Sequence, residues 1–323
     1  HWIFVVNIIS AILCLILGNV ILRKDEYHQT SDIHISRSMM ITLVLSTISL
    51  MIPMSLLTQK GYHSLWVWPI LLIAIFFIVN FIITNRQATH PIVHFHTLFS
   101  KKPFVGATMA ISSHLTLLTG IAGINVYIVR ILKLPFDISL HFYFFFFVGV
   151  IITGILKMFF YSSVGAGFLG TLGSSALLYV SIHWIILGNT INIPLLYIQG
   201  LLLGFGASMT LVSGSMATLL DGDLKEAAQR SQTMHTMRNF SAAMLIPIIA
   251  YTIKNHIQKG TQSIYAENIT DKMIYLKKLQ DVAIDADHQI FLLMIIFNMV
   301  MFVSSIIQMI LGKGRRITPP RES

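Results

Sequence analysis

Runs of about 20 apolar residues, the length a helix needs to cross a bilayer, recur along this chain and constrain its fold more than any motif does. They predict spans at 2–22, 38–57, 65–84, 104–129, 138–156, 164–187, 193–220, 231–253 and 289–311, nine in all. No alternation of polar and apolar residues competes with them. Backbone in lipid must satisfy its own hydrogen bonds, so helices are expected throughout. The predicted class is an all-α integral membrane protein. Composition agrees: of 323 residues, 55% are hydrophobic and only 11% charged, against about 25% charged in a soluble domain, and the mean hydropathy is +0.75. So few charges cannot cover a water-facing surface.

The first span lacks a basic leader and a small-residue cleavage site, so it reads as a transmembrane helix rather than a signal peptide. It starts at once from His1, and further helices are expected to precede it. Basic residues orient the rest. With the end of the first span facing the cytoplasm, fourteen of the twenty-two Lys and Arg fall on inner segments, among them Arg23, Lys24, Arg86, Lys101, Lys102, Lys157, Arg230 and Arg238. Five of the other eight crowd into one long outer loop, 254–288. This bias matches the positive-inside rule and predicts a cytoplasmic C-terminus. The net charge of +9 then reflects topology and attraction to anionic lipid, with no nucleic-acid partner. Cys14 is the only cysteine, so no internal disulfide forms, and its place among Leu and Ile reads as packing.

Three segments resemble a known family. His1-Trp2-Ile3-Phe4-Val5-Val6-Asn7-Ile8-Ile9 is similar to the signature opening the sixth helix of the fourteen-helix drug and proton antiporters of the major facilitator superfamily, with Ile9 in place of Pro. His90 to Phe104 resembles the family's lead-in to its ninth helix. Gly200-Leu201-Leu202-Leu203-Gly204-Phe205-Gly206, followed by Ala227, Ala228, His235, Thr236 and Arg238, resembles the Gly-rich twelfth helix and the start of the thirteenth. Asn239 and Ser241 depart from the family's usual Gln and Gly.

The resemblance implies the C-terminal nine-helix portion of a major facilitator fold. Residues 1–22 would be the last helix of an N-terminal bundle, and 23–103 a linker with two extra helices. Residues 104–323 would be a six-helix bundle carrying the outer loop and a basic tail. The implied function is secondary active transport by alternating access between two bundles. It would be proton-coupled export of amphipathic or cationic small molecules, or movement of a siderophore or metabolite, in a bacterial inner membrane. The implied partners are the lipid bilayer, the substrate, protons and the preceding helices; no cofactor and no metal are expected.

The predicted spans hold no Asp or Glu, so a proton carrier is expected to be a histidine or to lie in the preceding helices. His114, mid-span, is the candidate for substrate or proton handling, with a neutral hydrogen-bonded packing role as the alternative. Asn125, three turns on, and Gln199 are candidates for the same pathway, with interhelical bonding as their plainer role. Arg130 and Asp137 at the outer ends, and Arg238 near the acidic loop of Asp221, Asp223 and Glu226, are candidates for gating. Gly200, Gly204 and Gly206 are read as helix-packing sites. His183 beside Trp184 reads as an interfacial position.

A rival reading makes the chain an integral-membrane lipid-modifying enzyme using His90, His94 and His96. That pattern needs further histidine boxes on the same membrane face, and none appears; Pro91 also breaks the helix that would align the first pair. No P-loop, nucleophile elbow or zinc-protease motif is present, so no enzymatic activity is expected.

Overall fold

A computed structural model describes residues 8, 11–13, 15–18, 37–61, 64–88, 91–220, 226–267 and 271–312. The chain divides into two compact units, His1–His34 and Ile35–Ser323. In the first, the described residues are helical; the remainder of span 2–22, with Cys14, lies outside them. The second unit contains α1 (Arg37–Lys60), α2 (Val67–Gln87), a short α3 (Phe95–Leu98), α4 (Lys101–Asn125) running into a π-turn (Val126–Ile131), α5 (Phe136–Trp184), α6 (Ile193–Leu220), α7 (Ala227–Ala266) and α8 (Lys272–Ile310). No strand occurs among the described residues.

Six of these are long and apolar enough to cross a membrane: α1, α2, α4 with its π-turn, α5, α6 and α8. The all-helical class is therefore observed, with six helices suited to crossing a membrane. The span expected at 231–253 is helical within α7, but α7 is not one of the six. Polar residues along it, including Gln232, His235, Arg238, Asn239 and Lys254, set it apart.

The spans expected at 138–156 and 164–187 are joined in α5, whose 49 residues would measure about 74 Å if straight at 1.5 Å per residue. It is not straight. Gly165 has φ 82° and ψ 170°, a conformation essentially closed to side-chain-bearing residues. Before Gly165, α5 and α6 run the same way: Phe142 lies beside Gly200, and Lys157 Nζ donates to Ser208 O at 2.6 Å. After it they run oppositely: Gly173 lies beside Met209, and Trp184 bonds Gln199. α5 is thus a hairpin whose reversal is made at one glycine. Lys157, read from the sequence as part of an inner segment, lies inside the helix with its ammonium turned onto α6.

The stretch read as a long outer loop, 254–288, is helical over 254–266 and 272–288. α7 and α8 continue as a packed pair there, with Gly260 against Val282 and with Ile264 and Ile284 buried. The first turn of α8 is capped by Asp271, whose Oδ1 accepts from Met273 N at 2.8 Å.

The main core lies among α4, α5, α6 and α8 and includes Tyr127, Phe142, Leu177, Trp184, Phe291 and Met294. Lipid is as apolar as these side chains, so close packing rather than water exclusion holds such helices together. Small residues permit it. A Cβ on Gly106 would lie 2.8 Å from Thr218 N, and one on Gly214 would lie 2.7 Å from Ala110 N, which brings α4 and α6 backbone to backbone. Leu245, Ile249 and Ile290 join α7 to α8, while Met39, Phe81 and Val93 pack α1 against α2 and the segment before α3.

Candidate functional site

α4 and α7 lie side by side through Ala107 and Ala110 on one and Met234 on the other, with Met237 packed alongside. One turn beyond that contact they carry His114 and Arg238. Both are half-buried, and the guanidinium is close enough to act electrostatically on the imidazole. Arg238 acts likewise on His235. Arg238 Nε is buried without a hydrogen-bond partner, and no carboxylate pairs with this arginine among the described residues. Asp221 and Asp223, expected near it, lie outside the described residues. Glu226 turns instead to Arg230, at 3.7 Å.

The outward face of α7 continues this polarity. Gln232, His235 and Asn239 are exposed at three- and four-residue spacing, on one face of the helix, before it becomes apolar at Ile246. Other outward faces differ. Along α2 the exposed residues include Leu72, Phe76, Val79 and Ile83, as suits contact with lipid chains.

The remaining predicted residues scatter. The Asn125 amide lies close enough to Tyr143 on α5 to act on its phenol. Gln199 is 1% exposed; its Oε1 accepts from Trp184 Nε1 at 2.8 Å, and its Nε2 has no partner among the described residues. Arg130 and Asp137 are both exposed, with no ion pair between them among the described residues; the Asp137 carbonyl instead bonds His141 Nδ1 at 2.6 Å. Gly200 and Gly204 face Phe142 and Phe146 on the first arm of α5, and Gly206 faces Gly173 and Leu177 on the second. One glycine-rich helix thus receives both arms of the hairpin. His183 is half-buried with its ring edge-on to Tyr179, and its Nδ1 has no partner among the described residues.

His94 and His96 flank the start of α3 in a recess of about 660 Å³ lined also by Asn85, Arg86, Phe95 and Phe99. Asn85 shapes it, donating to Val93 O at 2.7 Å and accepting from Ile92 N and Val93 N, each at 3.0 Å. His94 N donates to Thr233 Oγ1 at 2.9 Å, tying the segment to α7. Burial lowers the His94 imidazole below its ordinary 6.5, against a smaller upward pull from Glu226. Among the described residues no three His, Cys, Asp or Glu side chains gather as a metal site; His90 lies outside them.

Two buried charged residues are not among the site candidates drawn from the sequence. Arg230, 1% exposed, bonds Thr218 O at 2.9 Å through Nε and Leu219 O at 2.8 Å through Nη2, satisfying carbonyls at the end of α6. Asp287 is also 1% exposed, and neither carboxyl oxygen has a hydrogen-bond partner among the described residues. It fell just outside the span expected at 289–311 and so passed for a loop residue. The length of α8 places it inside the helix. Compared with protein-family models and with curated proteins, the chain matches none.

Proposed function

We propose that this protein is a secondary active transporter of the major facilitator type, exporting amphipathic or cationic small molecules in exchange for protons. The polar outward stripe of α7, Gln232, His235 and Asn239, running beside His114 and Arg238, is the observation that carries this reading. Polar groups on a helix among membrane-crossing helices are tolerated where they line a water-filled path or meet a protein partner. A lipid-facing helix would repeat the pattern of α2. In this reading α4 and α7 face the path, α5, α6 and α8 form the scaffold behind them, and α1 and α2 are the extra pair beside α7. The membrane is a bacterial inner membrane and the C-terminus is cytoplasmic. The histidine, arginine and amides supply hydrogen bonds and charge, and the neighbouring apolar surface takes the hydrophobic part of the substrate.

The test is proton-gradient-driven movement of a fluorescent lipophilic cation in vesicles containing the full-length protein, compared with His114→Ala and Arg238→Ala. Gradient-dependent transport by the parent and its loss in both variants, at equal folded protein, is the expected result. Absence of gradient-driven movement in the parent across cationic and neutral amphipathic probes would overturn the assignment.

A further inference from the structure

Asp287 lies on the face of α8 that packs against α4. The register is set by two close approaches, Met294 against Gly120 and Phe291 against Gly123; one turn further, Asp287 comes level with Tyr127, whose phenol feels its charge. At that level α4 leaves α-helical geometry for the π-turn Val126–Ile131, a departure often found at functional sites. The Tyr127 hydroxyl donates to the Gly188 carbonyl, so the segment after α5 is tied over this end of the bundle.

The charged and titratable groups on the elements around Asp287 leave it alone. Arg130 on the π-turn is exposed, and Tyr127 is committed to Gly188. α5 carries His183, α6 carries Tyr197 stacked on Phe145, and α7 carries Tyr251, Lys254 and His256. Lys254 is bonded to Thr58 O and Gln59 O. On α8 itself, His288 bonds Leu187 O at 2.8 Å and lies 3.9 Å from Asp285. None of them bonds or pairs with Asp287 among the described residues. A carboxylate sealed in such a place must be accompanied by a neutralising cation. A metal ion would need several more oxygen or nitrogen ligands, and among the described residues no group of three acidic, imidazole or thiol side chains gathers there. A proton needs none.

We propose that Asp287 is an exchangeable proton site: its carboxylate takes a proton from water, forming the neutral acid, when α8 is packed against the π-turn, and returns it to water when that packing loosens. The step is a simple protonation, with no change of oxidation state. Its use as the coupling proton rests on the transport reading above, whereas its existence does not.

Infrared difference spectroscopy on the purified full-length protein tests it. The expected result is a protonated-carboxyl C=O band that titrates with pH, shifts in deuterium oxide, is lost in Asp287→Asn and returns, displaced, in Asp287→Glu. Asp281→Asn and Asp285→Asn should retain it. A band unchanged by Asp287→Asn, no titrating band at all, or a band that responds to Na+ rather than to pH would each overturn the proposal. In vesicles, Asp287→Asn should lose gradient-driven accumulation while keeping substrate exchange. A parent that shows the band but no transport would sink the transport reading and leave the proton site standing.

Discussion

Arg230 reaches back from the first turn of α7 to the Thr218 carbonyl at the end of α6, with Nε and O 2.9 Å apart. A second bond, to Leu219 O, completes a fork on two carbonyls that α6 cannot satisfy within itself. The cation also meets the negative end of the α6 dipole. Glu226 adds little, since it is 45% exposed and 3.7 Å away. Arg230→Met should therefore cost about 1.5–3 kcal/mol of stability, whereas Glu226→Gln should cost less than about 1 kcal/mol. Thermal unfolding of the detergent-solubilised protein checks the ranking.

The glycines of α6 make a graded prediction. A Cβ on Gly204 would sit inside contact distance of the Phe146 carbonyl, backbone that cannot turn aside. Gly204→Ala should destabilise by about 1–3 kcal/mol, as overpacking does. Gly154 has nothing within 4 Å of where a Cβ would be, and Gly154→Ala should be neutral or stabilising by about 0.5–1 kcal/mol. Paired melts of the two variants separate crowding from helix propensity.

Gly165 tests the hairpin itself. With φ 82° and ψ 170°, an alanine there should cost about 1–3 kcal/mol in backbone strain alone. Cross-linking Cys pairs at Phe142 with Gly200 and at Gly173 with Met209 would report both arms; Gly165→Ala should weaken cross-linking of at least one pair relative to the parent.

His94 gives a pH dependence with a definite sign. Burial holds its folded-state value below 6.5, with Glu226 opposing in part. Between the two values the unfolded chain binds more protons than the folded one, so stability rises with pH. Its contribution is fully present above 6.5 and is lost as pH falls through the unfolded value towards the lowered folded one. His94→Gln should flatten the melting temperature across that window; a profile identical to the parent's would show that another group dominates.

How far the sequence could be read is clear from particular residues. The apolar stretches of α1, α2, α4, α6 and the later part of α8 were legible because lipid demands long uncharged runs, which composition alone displays. The hairpin of α5 was legible as two spans, but not as a reversal at Gly165, because many glycines punctuate that stretch and nothing local marks which one takes positive φ. The region 254–288 read as loop because its lysines and acids broke the apolar pattern; they lie on α7 and α8 where these pack together, held by Gly260 and Val282. His114 and Arg238 are 124 positions apart in the chain, and only the packing of α4 on α7 brings them together.

What the sequence determined by itself is the solvent of this protein and the helical class, since both follow from where charge is absent. Tertiary structure alone decided which polar groups matter. Gln199 is held on Trp184 and Arg230 on the end of α6, whereas Asp287, beyond the apolar run, is a buried carboxyl with no hydrogen-bond partner among the described residues. The physical reason is that burial and pairing belong to neighbours distant in the chain, and a polar side chain in a membrane bundle is defined by which helix it faces.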